Sequence, residues 1–476
     1  MNLLKNIKNL FVFLRAISKH QIITHPPQLS SPRIPLSFPR EARGSIFNSA
    51  KIRFFAKIIA LFIYPKGFFI VPKQNFAHRL TLCFKDLGPI YIKFGQTLST
   101  RPDLIGAEVA NHLKSLQDKL PAFSASIVKT KIQEEFGAPV TELFASFNET
   151  PIAAASIAQV HEATLLSGHK VAVKILRPNI AKIYNDDIIF LEFIANFMTK
   201  FIKKAKRLKP REVIAVFRES MNYELNLRLE AAAASRIADN FNGDDTLHIP
   251  KIYWNLTSEE IITLEWIDGI SIYDRKKLIA NKLDPDKIAA KIAVIFFESA
   301  YRDGFFHADL HPGNILVKKN GQIALIDFGI IGILAEDDRL AIAEILYAFL
   351  KRDYKLVASV HHRIGYIPKS TNLELFAQNC RAIAEPIIGL QIKNISIGNL
   401  LAQLFKVTEE FGMETQCQLL MLQKTMVVVE GIGQSLDPEI NMWQLAEPWM
   451  KKWALKNLTP EAKLLKMVKK FINDLL

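Results

Sequence analysis

The stretch His307-Ala308-Asp309-Leu310-His311-Pro312-Gly313-Asn314, followed thirteen residues after Asn314 by Asp327-Phe328-Gly329, decides how the rest of the chain is read. In a kinase catalytic loop an Asp orients or deprotonates the attacking oxygen, and an Asn five residues later holds a metal. The Asp of a following Asp-Phe-Gly holds the metal that bridges the phosphates. Asp309, Asn314 and Asp327 stand in that order and at that spacing, with two short strand-like runs, 315–317 and 323–326, between the two motifs. An Asp-Phe-Gly tripeptide by itself arises by chance; the ordered pair carries the reading. Asp309 is the candidate catalytic residue, and Asn314 and Asp327 are the candidate ligands of Mg2+.

Working upstream, Val171-Ala172-Val173-Lys174 matches the strand whose lysine pairs the α- and β-phosphates of ATP. A lysine ending a strand is usually just solvated; its order before Asp309 and Asp327 favours the functional role. Where a conventional kinase has a Gly-rich loop, this chain has Ile152-Ala153-Ala154-Ala155-Ser156-Ile157-Ala158-Gln159-Val160. Alanine amides can still donate to phosphate, but without glycine the turn does not freely adopt positive φ, so another backbone path must cover the nucleotide. Taken alone, the segment reads as a small-residue packing patch.

These residues, together with Lys93-Phe94-Gly95-Gln96 upstream, resemble the UbiB/ADCK family of atypical kinases over roughly residues 75–435. The resemblance implies an ATP-dependent kinase or ATPase that supports ubiquinone (coenzyme Q) biosynthesis. It also implies that the helical segment around Lys93 and Gln96, with Leu116-Gln117-Asp118 after it, folds over the active site and blocks a protein substrate. On spacing alone, Lys93 and Gln96 share a helix face, as any two solvated residues three apart would. Glu224-Leu225-Asn226 resembles the family's Glu-x-Asp motif with Asn226 in the Asp position, which removes a charge there. The resemblance assigns Glu230 to Lys174 and Glu224 to the Lys93 side. Leu264-Glu265-Trp266-Ile267-Asp268-Gly269 closes a strand before the helical half, as an adenine-contacting hinge does, with backbone groups from Glu265 to Ile267 reading the base.

Residues 157–166 and 169–176 read as a hairpin turning at Ser167-Gly168, and 249–254 and 260–266 as further strands. Helical spacing dominates 47–150, 180–240, 285–303 and everything from about 336. The expected fold is α+β: a two-lobed protein-kinase-like fold with an added N-terminal helical segment and a helical C-terminal extension. The expected domains are 1–46 (basic amphipathic helix and Pro-rich linker), 47–150 (helical extension), 151–268 (nucleotide-binding lobe), 269–450 (helical catalytic lobe) and 451–476 (basic amphipathic tail).

The net charge of +14 is concentrated at the ends: residues 1–60 carry +9 and residues 451–476 carry +5, leaving the body neutral. That distribution suits an anionic membrane surface better than a nucleic-acid groove. Leu3, Ile7, Leu10, Leu14 and Ile17 share one helical face, and Leu464, Val468, Phe471, Ile472 and Leu475 repeat the pattern, each beside lysines. Either helix could equally cover part of a core. The stretch 54–71 is broken by Lys57, Pro65 and Lys66, short of the ~20 apolar residues of a span. The expectation is peripheral attachment to the cytoplasmic face of the inner membrane or the equivalent mitochondrial surface, with quinone-precursor lipids and quinone-biosynthesis enzymes as partners implied by the resemblance. Cys83, Cys380 and Cys417 show no metal or redox spacing and read as packing residues. Two alternatives stay open: a small-molecule kinase of the aminoglycoside or choline kinase type, which the Ala-rich loop and Lys93-Phe94-Gly95-Gln96 disfavour, and a nucleotide-binding scaffold for quinone-biosynthesis enzymes.

Overall fold

The computed structural model describes residues 2–20, 22, 74–99, 105–116, 121–201, 210–388, 403, 411, 417–438 and 442–457. The Pro-rich linker, the apolar stretch 54–71, Gln117-Asp118 and the amphipathic tail beyond 458 lie outside the described residues. The chain divides into two compact units: residues 1–228 with 254–263, and residues 229–253 with 264–476. Of the expected 151–268 lobe, residues 229–253 and 264–268 belong to the second unit, and 254–263 belongs to the first.

The first unit opens with α1 (Asn2–Lys19), followed by α2 (Phe76–Leu87), α3 (Pro89–Ser99), α4 (Ala107–Leu113), α5 (Ala125–Phe136) and α6 (Val140–Leu143). The Asn75 side chain starts α2 by accepting from the His78 amide at 2.9 Å, meeting one of the donors a helix N-terminus leaves over. From Leu10 on, α1 spends much of its apolar face on packing. Phe13 meets Phe190 edge-on at 5.3 Å, and Ala16, Ile22 and Cys83 form a cluster with Ile17, Leu80 and Leu87 around it. This is the core-covering role for the described part of that helix; Phe11 and Val12 remain exposed.

A largely antiparallel sheet follows: β1 (Phe144–Phe147), β2 (Ala153–Ala154), β3 (Ala158–Leu165) and β4 (Lys170–Leu176), with α7 (Ile180–Phe201), α8 (Pro210–Glu224) and the start of α9 (Leu227–Asn240) after them. The order is β1-β3-β4-β6, with β2 paired to β3 and β6 at Ile261–Glu265. β1 is an edge strand where helical spacing was expected. Burial alternates along β3 and β4 because successive side chains face opposite sides. Across the hairpin Val160 stands opposite Lys174, and Gly168 makes the turn at φ 84°. Lys131 of α5 fastens to the sheet, with Nζ 2.6 Å from Glu260 and 3.0 Å from the Leu176 carbonyl.

In the second unit β5 (Leu247–His248) pairs in parallel with β10, in a sheet of order β5-β10-β9-β7 that also holds β7 (Ile270–Ser271), β9 (Ile315–Val317) and β10 (Ile323–Leu325). The strand expected over 249–254 does not form. Pro250 has no N–H to give to a ladder, and only Ile252 makes a bridge, to Leu264, before a 3-10 turn at Trp254–Leu256. Helices α10 (Arg275–Ala280) and α11 (Pro285–Phe297) come next; Asp284 caps α11, whose first residue is Pro285. A π turn at Glu298–Asp303 ends on Gly304, whose φ of 66° and the Leu334 carbonyl, 2.5 Å from where a Cβ would sit, exclude a side chain. It delivers the chain into β8 (Phe305–His307), which pairs with β11 (Ile331–Ile333). The rest is helical: α12 (Glu336–Leu350), α13 (Tyr354–Arg363), α14 (Leu373–Ile388), α15 (Cys417–Leu436) and α16 (Met442–Asn457). Both α15 and α16 pack on α11, with Trp449 stacked on Phe297 at 5.9 Å. Among the described residues no helix is long and apolar enough to cross a membrane.

Candidate phosphoryl-transfer site

In the first unit, the Ala-rich segment is a pinned turn and not a flexible flap. The amides of Ile152 and Ala155 donate to the carbonyls of Val160 and Ala158, each at 2.8 Å, so these two amides are spent within the loop. The Ala155 carbonyl accepts from Nε and Nη2 of Arg177 at 3.1 and 2.7 Å. Gln159 is fully buried. Its Oε1 accepts from the Phe123 amide at 3.0 Å, and its Nε2 donates to His161 Nε2 at 2.8 Å. His161 in turn donates from Nδ1 to the Asn148 carbonyl, and burial holds its pKa below the ordinary value. Ser156 is the exception in this network: its Oγ is buried and has no hydrogen-bond partner among the described residues. An unmet hydroxyl in this turn is what a phosphate oxygen would satisfy.

Lys174 projects from β4 opposite Val160. Lys93 and Glu224 come together as a largely buried pair, Nζ to Oε2 3.0 Å. The Gln96 side chain donates to the Leu116 carbonyl at 3.1 Å, tying α3 to the segment that follows α4. Gly95 is required by close approach, since a Cβ there would lie 2.4 Å from Leu116 Cδ1 and 2.6 Å from Phe84 Cδ2. Asn226 serves as a cap: its Oδ1 accepts from the Arg228 amide at 3.1 Å at the start of α9.

In the second unit, His307 joins the two catalytic motifs. Its Nδ1 accepts from the Asp309 amide at 3.1 Å, which fixes the proton on Nε2, and Nε2–H donates to the Asp327 carbonyl. Burial holds the imidazole below its ordinary pKa, the charges of Asp327 and Asp309 opposing that shift, so it stays neutral and keeps this tautomer. Asn314 Nδ2 donates to the Asp309 carbonyl at 3.3 Å, and the Asn314 carbonyl accepts from the Ile326 amide at 3.1 Å. These bonds hold Asn314 beside the catalytic loop and next to the strand that leads into Asp327. Asp327 Oδ1 accepts from the Gly329 amide at 3.0 Å, and the Phe328 amide reaches Glu230 Oε1 at 3.5 Å. Buried Glu230 is thus brought to the Asp-Phe-Gly segment; Lys174 belongs to the first unit and Glu230 to the second.

At the expected hinge, the Glu265 amide is already given to the Lys251 carbonyl at 2.9 Å, and its carboxylate binds His248 Nε2 at 3.1 Å and the Lys251 amide at 3.1 Å. The Glu265 amide is therefore not a donor for a base, which leaves its carbonyl and Ile267 for that role.

Among the described residues no three His, Cys, Asp or Glu side chains form a ready-made metal cluster. Asp327 and Asn314 offer hard oxygen donors of the kind Mg2+ takes, one or two protein ligands being completed by phosphate oxygens and water. The residues present therefore fit Mg2+ carried with a nucleotide.

Residues 115–361 match the ABC1 atypical kinase-like domain, and residues 380–441 match the UbiB helical domain. The chain belongs to the ABC1 atypical kinase family. It is 41% identical over 406 residues to a probable protein kinase UbiB of Marinobacter nauticus, covering 84% of this chain and 74% of that one. It is 40% identical over 387 residues to the proteins of the same description from Pseudomonas paraeruginosa and Pseudomonas aeruginosa, covering 80% of this chain and 73% of theirs. The solved structure of Rv3197 from Mycobacterium tuberculosis, a complex with erythromycin, aligns with a TM-score of 0.51 at 23% identity over 74% of this chain and 90% of that one. That likeness is one of fold.

Three side chains whose bonds shape these segments escaped the sequence reading. Arg177 lies just after β4 and looks like a solvated strand end. His307 sits inside the quoted motif but gave no sign that it bridges to Asp327. Lys424 lies on α15, 115 residues past Asp309, and its Nζ is 2.9 Å from Asp309 Oδ1. No local pattern could have signalled that pair.

Proposed function

We propose that this protein is an atypical kinase or ATPase that uses ATP and Mg2+ and supports ubiquinone biosynthesis at a membrane surface. The observation that carries the reading is the His307 bridge, which holds Asp309 and Asp327 in one frame with Asn314 bonded to the same loop. Asp309 accepts the proton of the attacking hydroxyl or water, and the Lys174 ammonium neutralises phosphate charge. Asp327 and Asn314 would hold Mg2+, which when bound supplies further charge neutralisation on the phosphates. The His307 imidazole, bonded through both nitrogens to backbone groups, fixes the backbone of the two acids. The Ala-rich turn, pinned by Arg177 and Gln159, stands where a glycine flap would be, with its Ile152 and Ala155 amides already spent.

The link to ubiquinone rests on the UbiB relatives, and attachment to an anionic surface rests on the basic ends of the sequence. The test is complementation. In a null strain the wild-type gene should restore the quinone and clear its precursors, scored by mass spectrometry, and Asp327→Asn should not. The purified Asp327→Asn protein should fold but turn over ATP at least ~100-fold more slowly. Normal turnover in that variant would sink the kinase reading; lost turnover with full complementation would show that quinone synthesis does not depend on turnover, and a wild-type gene that fails to restore the quinone would sink the link to quinone synthesis.

A further inference from the structure

The Asp309 carboxylate has one bonding partner among the described residues, and it comes from outside the catalytic loop: Lys424 Nζ at 2.9 Å. The backbone of Asp309 is fixed on both sides, its amide by His307 Nδ1 and its carbonyl by Asn314 Nδ2. The side-chain torsions are all that remain to be set. The nearby basic residue of the loop does not set them, because His311 Nδ1 accepts from the Gly313 amide at 3.1 Å and its Nε2 faces the Tyr273 hydroxyl at 3.5 Å. Lys424 is delivered by a rigid helix. Around it Leu419, Leu422, Met426, Val429 and Ile432 are buried, and the Leu436 carbonyl at the end of α15 accepts from Arg275 Nε at 2.7 Å. The side chains of Lys424 and Asp309 are 40% and 39% exposed, so the pair contributes little to stability. What it fixes is the direction of the carboxylate.

We propose that Lys424 is a positioning residue for phosphoryl transfer: its ammonium holds Asp309 Oδ1 so that Oδ2 is turned to the attacking hydroxyl or water. By this assignment the C-terminal helical domain completes the catalytic loop. The inference rests on the kinase reading above. The experiment measures steady-state ATP turnover in the full chain for wild type, Lys424→Met, Lys424→Arg, Asp309→Asn and the double variant Lys424→Met/Asp309→Asn, with Asp327→Asn as the reference for site-dependent turnover.

Lys424→Met should lower kcat by about 10- to 100-fold with KM for ATP within about two-fold, since the interaction acts on the reacting step and not on nucleotide binding. Lys424→Arg, which keeps the charge, should recover most of kcat. In the double variant the losses should not multiply, because Lys424 acts only through Asp309. Unchanged or increased kcat in Lys424→Met, no recovery with Arg, or multiplying losses would overturn the assignment while leaving the kinase reading in place. Wild-type turnover no greater than that of Asp327→Asn would overturn both. Thermal unfolding of Lys424→Met should match wild type, which separates a positioning effect from misfolding.

Discussion

Replacing Gly332 by Ala should damage folding and chemistry together, and the structure sets the size of the effect. Gly332 lies on β11 directly opposite Phe306 on β8, and a Cβ there would fall 2.2 Å from Phe306 Cζ and 2.5 Å from Cε1. The Phe306 ring cannot swing away, because it is fully buried and meets Phe296 edge-on at 6.2 Å. Overpacking of this kind costs about 1–3 kcal/mol, and the smaller backbone entropy of Ala in the unfolded chain returns about 0.4–1 kcal/mol. Taking the middle of each range leaves a net loss of about 1–2 kcal/mol, which corresponds to a fall in the thermal midpoint of roughly 2–8 °C for a body of this size. Phe306 immediately precedes His307, so a displaced ring also shifts the imidazole that aligns Asp309 with Asp327, and ATP turnover should fall about ten-fold. The control is Gly431→Ala on α15, where a Cβ meets nothing within 4 Å and Ala should stabilise the helix by about 1 kcal/mol. Differential scanning calorimetry and a coupled ATPase assay read both effects. A Gly332→Ala protein that melts within about 1 °C of wild type would refute the argument, since a midpoint shift that small is below the net cost.

Acid should destabilise the second unit through His361, which burial holds at about 4 against an ordinary 6.5 while its Nδ1 donates to the Val357 carbonyl. The unfolded chain takes up a proton below about 6.5 and the folded one only near 4, so stability is complete above that window and drops by up to ~3 kcal/mol across it. His361→Phe should flatten this slope in melts from pH 7.5 to 4.5, and parallel slopes would count against it. In the first unit the sign reverses at Asp187, whose carboxyl is raised to about 7 by burial and by Asp186. Its stabilising protonated form is lost as the pH rises through about 7, so Asp187→Asn should raise the melting temperature at pH 8 more than at pH 5. An equal change at both pH values would show that the carboxyl does not titrate there.

Much of the fold is legible because its signals are local. The alternation of 157–166 and 169–176, the Ser167-Gly168 turn and the helical spacing after 336 each depend on neighbours in sequence. The strand expected over 249–254 shows the limit: its composition is right for a strand, but Pro250 denies it a ladder partner. β1 was hidden because four residues within a helical stretch carry too short a period to register. At the candidate site, Asp309, Asn314 and Asp327 are spaced along one loop and hairpin, so their arrangement can be read by counting. Arg177 and Lys424 find their bonding partners at a distance in sequence, and Asn226, read as a lost charge, proves to be a helix cap. Residue type says nothing of such partners until the chain has folded back.

The return of residues 254–263 to the first unit has a consequence for the order in which the protein can be made. The sheet that carries Lys174 is not closed until β6 arrives, and Lys131 meets its counter-ion only when Glu260 has been synthesised. At about 5–20 residues per second the ribosome leaves the first 228 residues waiting for roughly two to seven seconds before the missing strand is translated, longer still before it clears the exit tunnel. During that interval the open edge of β4 is a template for a strand from another nascent chain. Folding of the first unit is therefore held open during translation, a window in which chaperone capture or slowed codons near 254–263 would decide the yield.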